Sequence, residues 1–194
     1  MKTINKNIMK TQLIIIALLF TTLSCKAQSP VINQTTYDVD QRQDGMYLKD
    51  IDNILGRFVG TWKWIDGNSS FEIVFTKGEM VEFPYGTYYD IIIGTYKYIR
   101  NGILIVDNLS QSYQGYAYPI SGGFEQTNHN RLNVGVIDYI KHKNATGYFE
   151  LLSGTSPEQA KWYVQGHGRI LVDGEPSNQG FTLPSYEEII LVKQ

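Results

Sequence analysis

Four carboxylates within alternating apolar and polar segments, Glu72, Asp90, Asp138 and Glu150, and three histidines, His129, His142 and His167, are the groups with which this 194-residue chain could do acid–base or metal chemistry. Neither set has the spacing such chemistry needs. A zinc site pairs His or Cys at short intervals, and these histidines stand far apart, so no metal ligand set is expected. Two acids hydrolyse a glycoside without any other motif when they lie roughly 5–10 Å apart in a cleft. Alternation instead puts Glu72 opposite the apolar Phe71/Ile73 face, which makes solvated strand positions the expectation. No Gly-x-Ser-x-Gly elbow occurs, and Ser121-Gly122-Gly123 and Gly166-His167-Gly168-Arg169 are too short for phosphate loops and read as turns or bulges. No catalytic residue and no cofactor is expected.

Aromatic residues are the enriched class, with 14 tyrosines. A tyrosine joins a flat apolar face to a hydroxyl that can hydrogen-bond, a combination suited to stacking a ligand. The candidates are Trp62, Trp64, Tyr88 and Tyr96 on strands, with Tyr85 and Tyr89 beside Tyr88, and Tyr113, Tyr116 and Tyr118 in a polar stretch. Tyrosine is also an ordinary strand former, so position rather than number must decide which of them serve a site.

Cys25 is the single cysteine. It follows Lys2, Lys6 and Lys10, an apolar run from Leu13 to Phe20, and Thr21-Thr22-Leu23-Ser24, the layout of a secretory signal over residues 1–24. The run is too short for a bilayer span, which needs roughly 20 apolar residues. Met9-Lys10-Thr11 repeats Met1-Lys2-Thr3, so translation from either methionine yields the same mature chain. Leu23-Ser24-Cys25 resembles the lipobox of bacterial lipoproteins, and that resemblance implies diacylation of Cys25 and cleavage before it. A membrane partner is then reached through acyl chains. The periplasmic face of the outer membrane is the expected location, because Lys26 differs from the aspartate that retains lipoproteins at the inner membrane.

The formal net charge of −2 falls to about −5 once the three leader lysines are removed. An acidic chain without a Lys/Arg cluster lacks the footprint that phosphate backbones require, so no nucleic-acid partner is expected. Residues 25–44 are rich in Gln, Asn, Asp and Thr and read as a flexible tether, leaving one domain over 45–194.

That domain opens with Ile51, Ile54, Leu55 and Phe58 at helical spacing behind Asp50, which predicts one short helix. After Gly60 the period becomes alternating. Asp66-Gly67-Asn68 predicts a turn between Trp62/Trp64 and Phe71/Ile73/Phe75. Lys77-Gly78 reads as another turn, and a long strand follows from about Tyr88 to Arg100, bent at Gly94. Asn101-Gly102 closes a hairpin onto Ile103–Val106, since both residues tolerate the positive φ of a type I′ turn. Further strands fit 132–140, 145–152, 162–172 and 186–192, while 107–131 reads as loops or short edge strands. About eight to ten strands in sequential hairpins predict an all-β fold, an antiparallel barrel or strongly curved sandwich preceded by that one helix.

The helix followed by Gly60-Thr61-Trp62 resembles the start of the calycins, the lipocalin and fatty-acid-binding barrels. In that comparison Ile137-Asp138-Tyr139 partly matches their second motif, and Arg169 the arginine that packs on the tryptophan. Tyr47-Leu48-Lys49-Asp50, Val59-Gly60-Thr61-Trp62-Lys63 and Leu183-Pro184 through Leu191-Val192-Lys193 resemble a family of uncharacterised lipoproteins from Bacteroidota, flavobacteria in particular, a domain of unknown function. These observations lead to the expectation of a non-enzymatic envelope lipoprotein that binds a small apolar or aromatic-stacking ligand. The alternatives are a protein-interaction subunit at the envelope and, last, a glycan hydrolase. Oligomeric state is not encoded in any motif.

Overall fold

The computed structural model describes residues 30–84, 86–114, 117–166 and 180–194. The leader, Cys25, Tyr85, Tyr116, His167 and Arg169 lie outside the described residues.

Eleven strands form one sheet that closes on itself. In chain order they are β1 (Val31–Asn33), β2 (Tyr47–Lys49), β3 (Gly60–Asp66), β4 (Ser69–Phe83), β5 (Thr87–Arg100), β6 (Ile103–Asp107), β7 (Ile120–Glu125), β8 (Asn128–Asp138), β9 (Lys143–Leu152), β10 (Gln159–Gly166) and β11 (Ile189–Lys193). β3, β4, β5, β7, β8, β9, β10 and β11 make an eight-stranded antiparallel barrel in which chain neighbours are sheet neighbours and β11 returns to β3. Closure leaves the barrel wall without a free edge.

β5 is the branching element. Its free side pairs in turn with three partners: Tyr88 and Tyr89 with β2 in parallel, Ile92–Gly94 with β7, and Lys97–Arg100 with β6. β1 adds outside β2, again in parallel. The chain therefore joins the compact unit from Val31 onward, so residues 31–44, read from composition as tether, include a strand, and Gln34 is buried.

Three expectations are corrected. The helix from Asp50 to Phe58 is a turn followed by a single 3-10 turn at Leu55–Arg57. Asp50 caps this turn, its Oδ1 and Oδ2 accepting from the amides of Ile54 (2.8 Å) and Leu55 (3.0 Å), but Asn53 adopts φ 54° and interrupts any helix. Lys77-Gly78 is not a turn, because β4 runs through it and takes up the irregularity as a bulge between Gly78 and Val81, with Met80 at φ 51°. Ile120–Glu125, in the segment read as loops or short edge strands, is the strand β7, which sits within the barrel wall between β5 and β8 and not at an edge. The Asn101-Gly102 turn forms as expected, with φ 52° and 80°.

Among the described residues the interior is closely packed. Trp62, Phe71, Phe75, Phe149 and Trp162 have no exposed surface and Tyr96 only 2 %. They meet edge-on or tilted, with Trp62–Phe149 at 4.9 Å, Phe75–Phe149 at 5.1 Å and Phe71–Trp162 at 5.6 Å between centroids, the geometry that aromatic quadrupoles favour. Each end of the barrel carries a plug tied to a tryptophan. At one end Leu55 and Phe58 cover the core, and the Trp62 indole donates to the Phe58 carbonyl (2.9 Å). At the other, Phe181 and Leu183 do so, and the Trp162 indole donates to the Pro184 carbonyl (3.1 Å). Asp138, fully buried, holds this second plug by accepting from the Thr182 amide (2.6 Å), while Thr182 Oγ1 pairs with the Tyr96 hydroxyl (3.0 Å). Lys193 Nζ lies over the Trp62 ring, 5.2 Å from its centroid.

Candidate functional site

Where β5 exchanges β2 for β7, the sheet forks, and the fork opens a crevice of about 380 Å³ on the outside of the barrel. Alternation along β5 sends Ile92, Tyr96 and Tyr98 into the core, so Tyr89 and Ile91 face the crevice. Phe83 of β4 packs edge-on against Tyr89 (5.0 Å), and Tyr37 and Leu48 extend this apolar wall. Burial, reinforced by the neighbouring Tyr37, pushes the Tyr89 hydroxyl above its ordinary range, with Arg42 opposing.

The facing wall comes from β7 and β8 and is nearly bare. It presents Ser121, Gly122, Gly123, Asn133 and Gly135. Their glycines are not equivalent. A Cβ on Gly122 would run into the Asn133 carbonyl oxygen, so glycine there is what permits β7 and β8 to coil closely, whereas a Cβ on Gly123 would meet nothing within 4 Å. Gly123 is the open floor of the crevice.

Two glutamines close the rim. Gln34 Nε2 donates to the carbonyls of Leu48 (2.9 Å) and Asp90 (2.6 Å), and Gln126 Nε2 donates to the Gln34 carbonyl (2.8 Å). Because all three acceptors are carbonyl oxygens, both amides are fixed with nitrogen engaged and Oε1 left as an acceptor.

Beneath the crevice, a clamp of charges holds the chain from Tyr47 to Leu55 against β4 and β5. Lys77 Nζ bridges Asp50 Oδ2 (3.1 Å) and Asp90 Oδ2 (3.4 Å), both carboxylates being fully out of solvent. Asp90 also accepts from the Asp50 amide (3.1 Å), the Met80 amide (3.1 Å) and the Tyr47 hydroxyl. Burial alone would lower the Lys77 pKa, but the two carboxylates outweigh it and raise it. Tyr47 is raised by burial and then by its bond to Asp90. With every carboxylate oxygen occupied, neither acid is placed to give a proton to a substrate or take one from it, and the pair reads as a structural clamp. Asp138 is likewise committed, through both oxygens, to the backbone amides of Ile140, Lys141 and Thr182. Among the described residues no three His, Cys, Asp or Glu side chains converge on a point that could hold a metal ion, and no helix is long and apolar enough to cross a membrane.

The sequence-derived candidates are dispersed. Trp62 and Tyr96 are core residues with their polar atoms satisfied internally, and Trp64 packs against that core. Tyr88 is half-buried beside β2. Tyr113 and Tyr118 do come together, at 5.4 Å, and Tyr139 stacks on Tyr113 at 5.9 Å, forming a surface cluster by the second plug. Glu72 and Glu150 pair with Lys63 (3.2 Å) and Arg131 (2.7 Å) on the wall. His129 packs on Phe124, and His142 occupies the β8–β9 turn at φ 52°. Of the crevice residues, only Tyr89 stood among the aromatics singled out from sequence. Tyr37 and Gln34 fall in the polar stretch read as tether, and Gly123 in the Ser121-Gly122-Gly123 run read as a turn or bulge.

Closure, strand order and the branched β5 define the class, an all-β protein built on an eight-stranded up-and-down barrel with extra strands and, among the described residues, almost no helix. Within that class, the chain belongs to the family of unknown function DUF6705, whose profile matches residues 9–194. No curated protein and no solved structure matches it.

Proposed function

We propose that this protein is a lipid-anchored envelope protein of the outer membrane, facing the periplasm, that binds a small ligand without transforming it. The observation that carries the binding half is the fork crevice. It has one aromatic wall, one bare wall and unused hydrogen-bond acceptors at its rim, and its volume lies within the range of about 300–1,000 Å³ usual for small-molecule sites. The close packing of rings in the described interior favours a ligand on the outer surface over one inside the barrel, where a calycin would carry it. The saturated carboxylates favour binding over hydrolysis. Anchoring rests on the leader and Cys25, and on the likeness to Bacteroidota lipoproteins.

The test uses full-length protein extracted from membranes in mild detergent and examined by native mass spectrometry. The wild type should carry an added mass that denaturation releases, and Gly123→Leu, which fills the crevice from a position with open space, should lose it. Cys25→Ser should move the protein to the soluble fraction while leaving that mass in place. A mass retained in full by Gly123→Leu would remove the crevice from consideration.

A second reading, a subunit that docks on another protein, is favoured by β6. Among the described residues it pairs with β5 alone, and it exposes Ile103 and Leu104 at 67 % and 55 %.

A further inference from the structure

We infer that the crevice receives an uncharged ring bearing hydroxyl groups, a neutral sugar unit, laid between the Tyr37/Tyr89 wall and the Gly123 floor. The inference rests on the crevice being the binding site and adds the class of ligand.

Three features select that class. The walls favour a flat body, since the rings of Tyr89 and Tyr37 line one side and Gly123, beside Ser121 and Asn133, puts no side chain into the gap opposite. A sugar ring has an apolar C–H face suited to such a surface, and its edge carries hydroxyls. The rim asks for donors. Gln34 is buried to more than nine-tenths, and its Oε1, like that of Gln126, has no partner among the described residues because each Nε2 is committed to a carbonyl. A hydroxyl supplies the missing proton at each. An acyl chain or other wholly apolar ligand would instead cover these oxygens and leave them unpaired, at a cost.

Charge excludes the remaining classes. Among the described residues Asp90 is the only charged one lining the crevice, and its carboxylate is spent on Tyr47, the Asp50 and Met80 amides and Lys77. Among the described residues no lysine or arginine lines the crevice to meet a phosphate, sulfate or uronate, Arg42 acting on the Tyr89 hydroxyl from outside the lining, and no free carboxylate does so to meet an amine. Hydrogen-bond acceptors beside aromatic faces, without a net charge, discriminate in favour of neutral polyols.

A glycan array carrying neutral, sulfated and uronic-acid oligosaccharides, probed with the detergent-solubilised full-length protein, tests this. Neutral glycans should be retained and the charged ones not. For the neutral glycan held best, Tyr89→Ala and Gly123→Leu should each weaken affinity by about tenfold or more, the size expected for loss of one aromatic stacking partner. Gln126→Ala should weaken it less and shift preference toward analogues lacking one hydroxyl. Circular dichroism of each variant separates a lost site from a lost fold. If the array stays blank while the releasable mass of the wild type is still abolished by Gly123→Leu, the site stands and the sugar assignment falls. If neutral glycans bind equally well to wild type and Gly123→Leu, both fall.

Discussion

The barrel interior and the fork crevice are built from the same two residue types, aromatics and glycines, used in opposite senses. Inside, rings are driven together until no solvent reaches Trp62, Phe75 or Phe149, and glycine serves closeness: Gly122 and Gly147 stand where a Cβ would strike a neighbouring strand's carbonyl oxygen. Outside, Tyr89 and Tyr37 face a glycine that creates distance, since Gly123 leaves the floor open. Adjacent residues of one strand, Gly122 and Gly123, thus serve opposite ends. Neither aromatic content nor glycine content locates a binding surface; the side of the sheet on which each falls does.

The clamp that separates the two regions provides the most severe way to break the comparison. Asp90→Ala strands Lys77 beside a single carboxylate and leaves the Tyr47 hydroxyl and two backbone amides without their acceptor. Removing one partner of a buried pair costs about 3–5 kcal/mol. Urea unfolding should show a loss of that order, and amide exchange should accelerate first over residues 47–58. If exchange rises uniformly, the clamp is part of the core and not its fastening.

Next in size is the glycine contrast itself. Gly122→Ala forces a methyl onto the Asn133 carbonyl oxygen and should lower stability by about 3 kcal/mol, the upper end of the usual cost of overpacking. Gly123→Ala should stay within about 0.5 kcal/mol of wild type by the same urea midpoint. Equal effects at the two positions would mean that the crevice floor is not open.

A smaller effect is expected in alkali. The Tyr47 pKa is raised in the folded protein above its ordinary value of about 10, first by burial and then by Asp90, so its contribution is intact below that pH and is lost as the pH climbs beyond it. The stability difference between wild type and Tyr47→Phe should therefore be constant near pH 8 and shrink above about pH 10. The smallest effect belongs to the barrel's outer wall. Lys161 lies 3.0 Å from Glu188 with both side chains well exposed, and Lys161→Ala should change stability by no more than about 0.5 kcal/mol.

Much of the barrel was legible in the sequence because its signals are local. Asn101-Gly102 dictates a turn by backbone sterics, and Phe71, Ile73 and Phe75 announce a buried face by alternation. β7 was legible only as a loop or a short edge strand, because Ile120-Ser121-Gly122-Gly123-Phe124 has the composition of a loop. Only its neighbour's carbonyl, ten or so residues away in sequence, explains why Gly122 belongs in a strand. Lys77-Gly78 misled for a related reason: the lysine is held within β4 by two carboxylates that chain order places 27 residues before and 13 after it. The short helix failed on Asn53, whose positive φ interrupts an otherwise good pattern. The site was the least legible part. Its walls come from the stretch read as tether, the start of β5, and β7 with β8, and no spacing within one segment reports that they meet. Tyr113 and Tyr118, candidates from one polar stretch, meet in the structure, with Tyr139 joining from the β8–β9 turn.

One wall of the crevice hangs on a very small piece of sheet. Gln34 and Tyr37 follow directly from β1, which is three residues long, pairs with β2 alone and is braced by Asn33 and Thr35 on the Asp52 carboxylate. Peeling β1 from β2 dismantles the cavity while leaving the barrel whole. By thermodynamic reciprocity, a guest seated in the crevice must fasten that strand by the same free energy that the strand lends to the guest. Under the proposed binding, the N-terminal stretch is thus a zip fastener whose teeth include the guest, and a pull along the chain toward residue 30 becomes a way to empty the crevice.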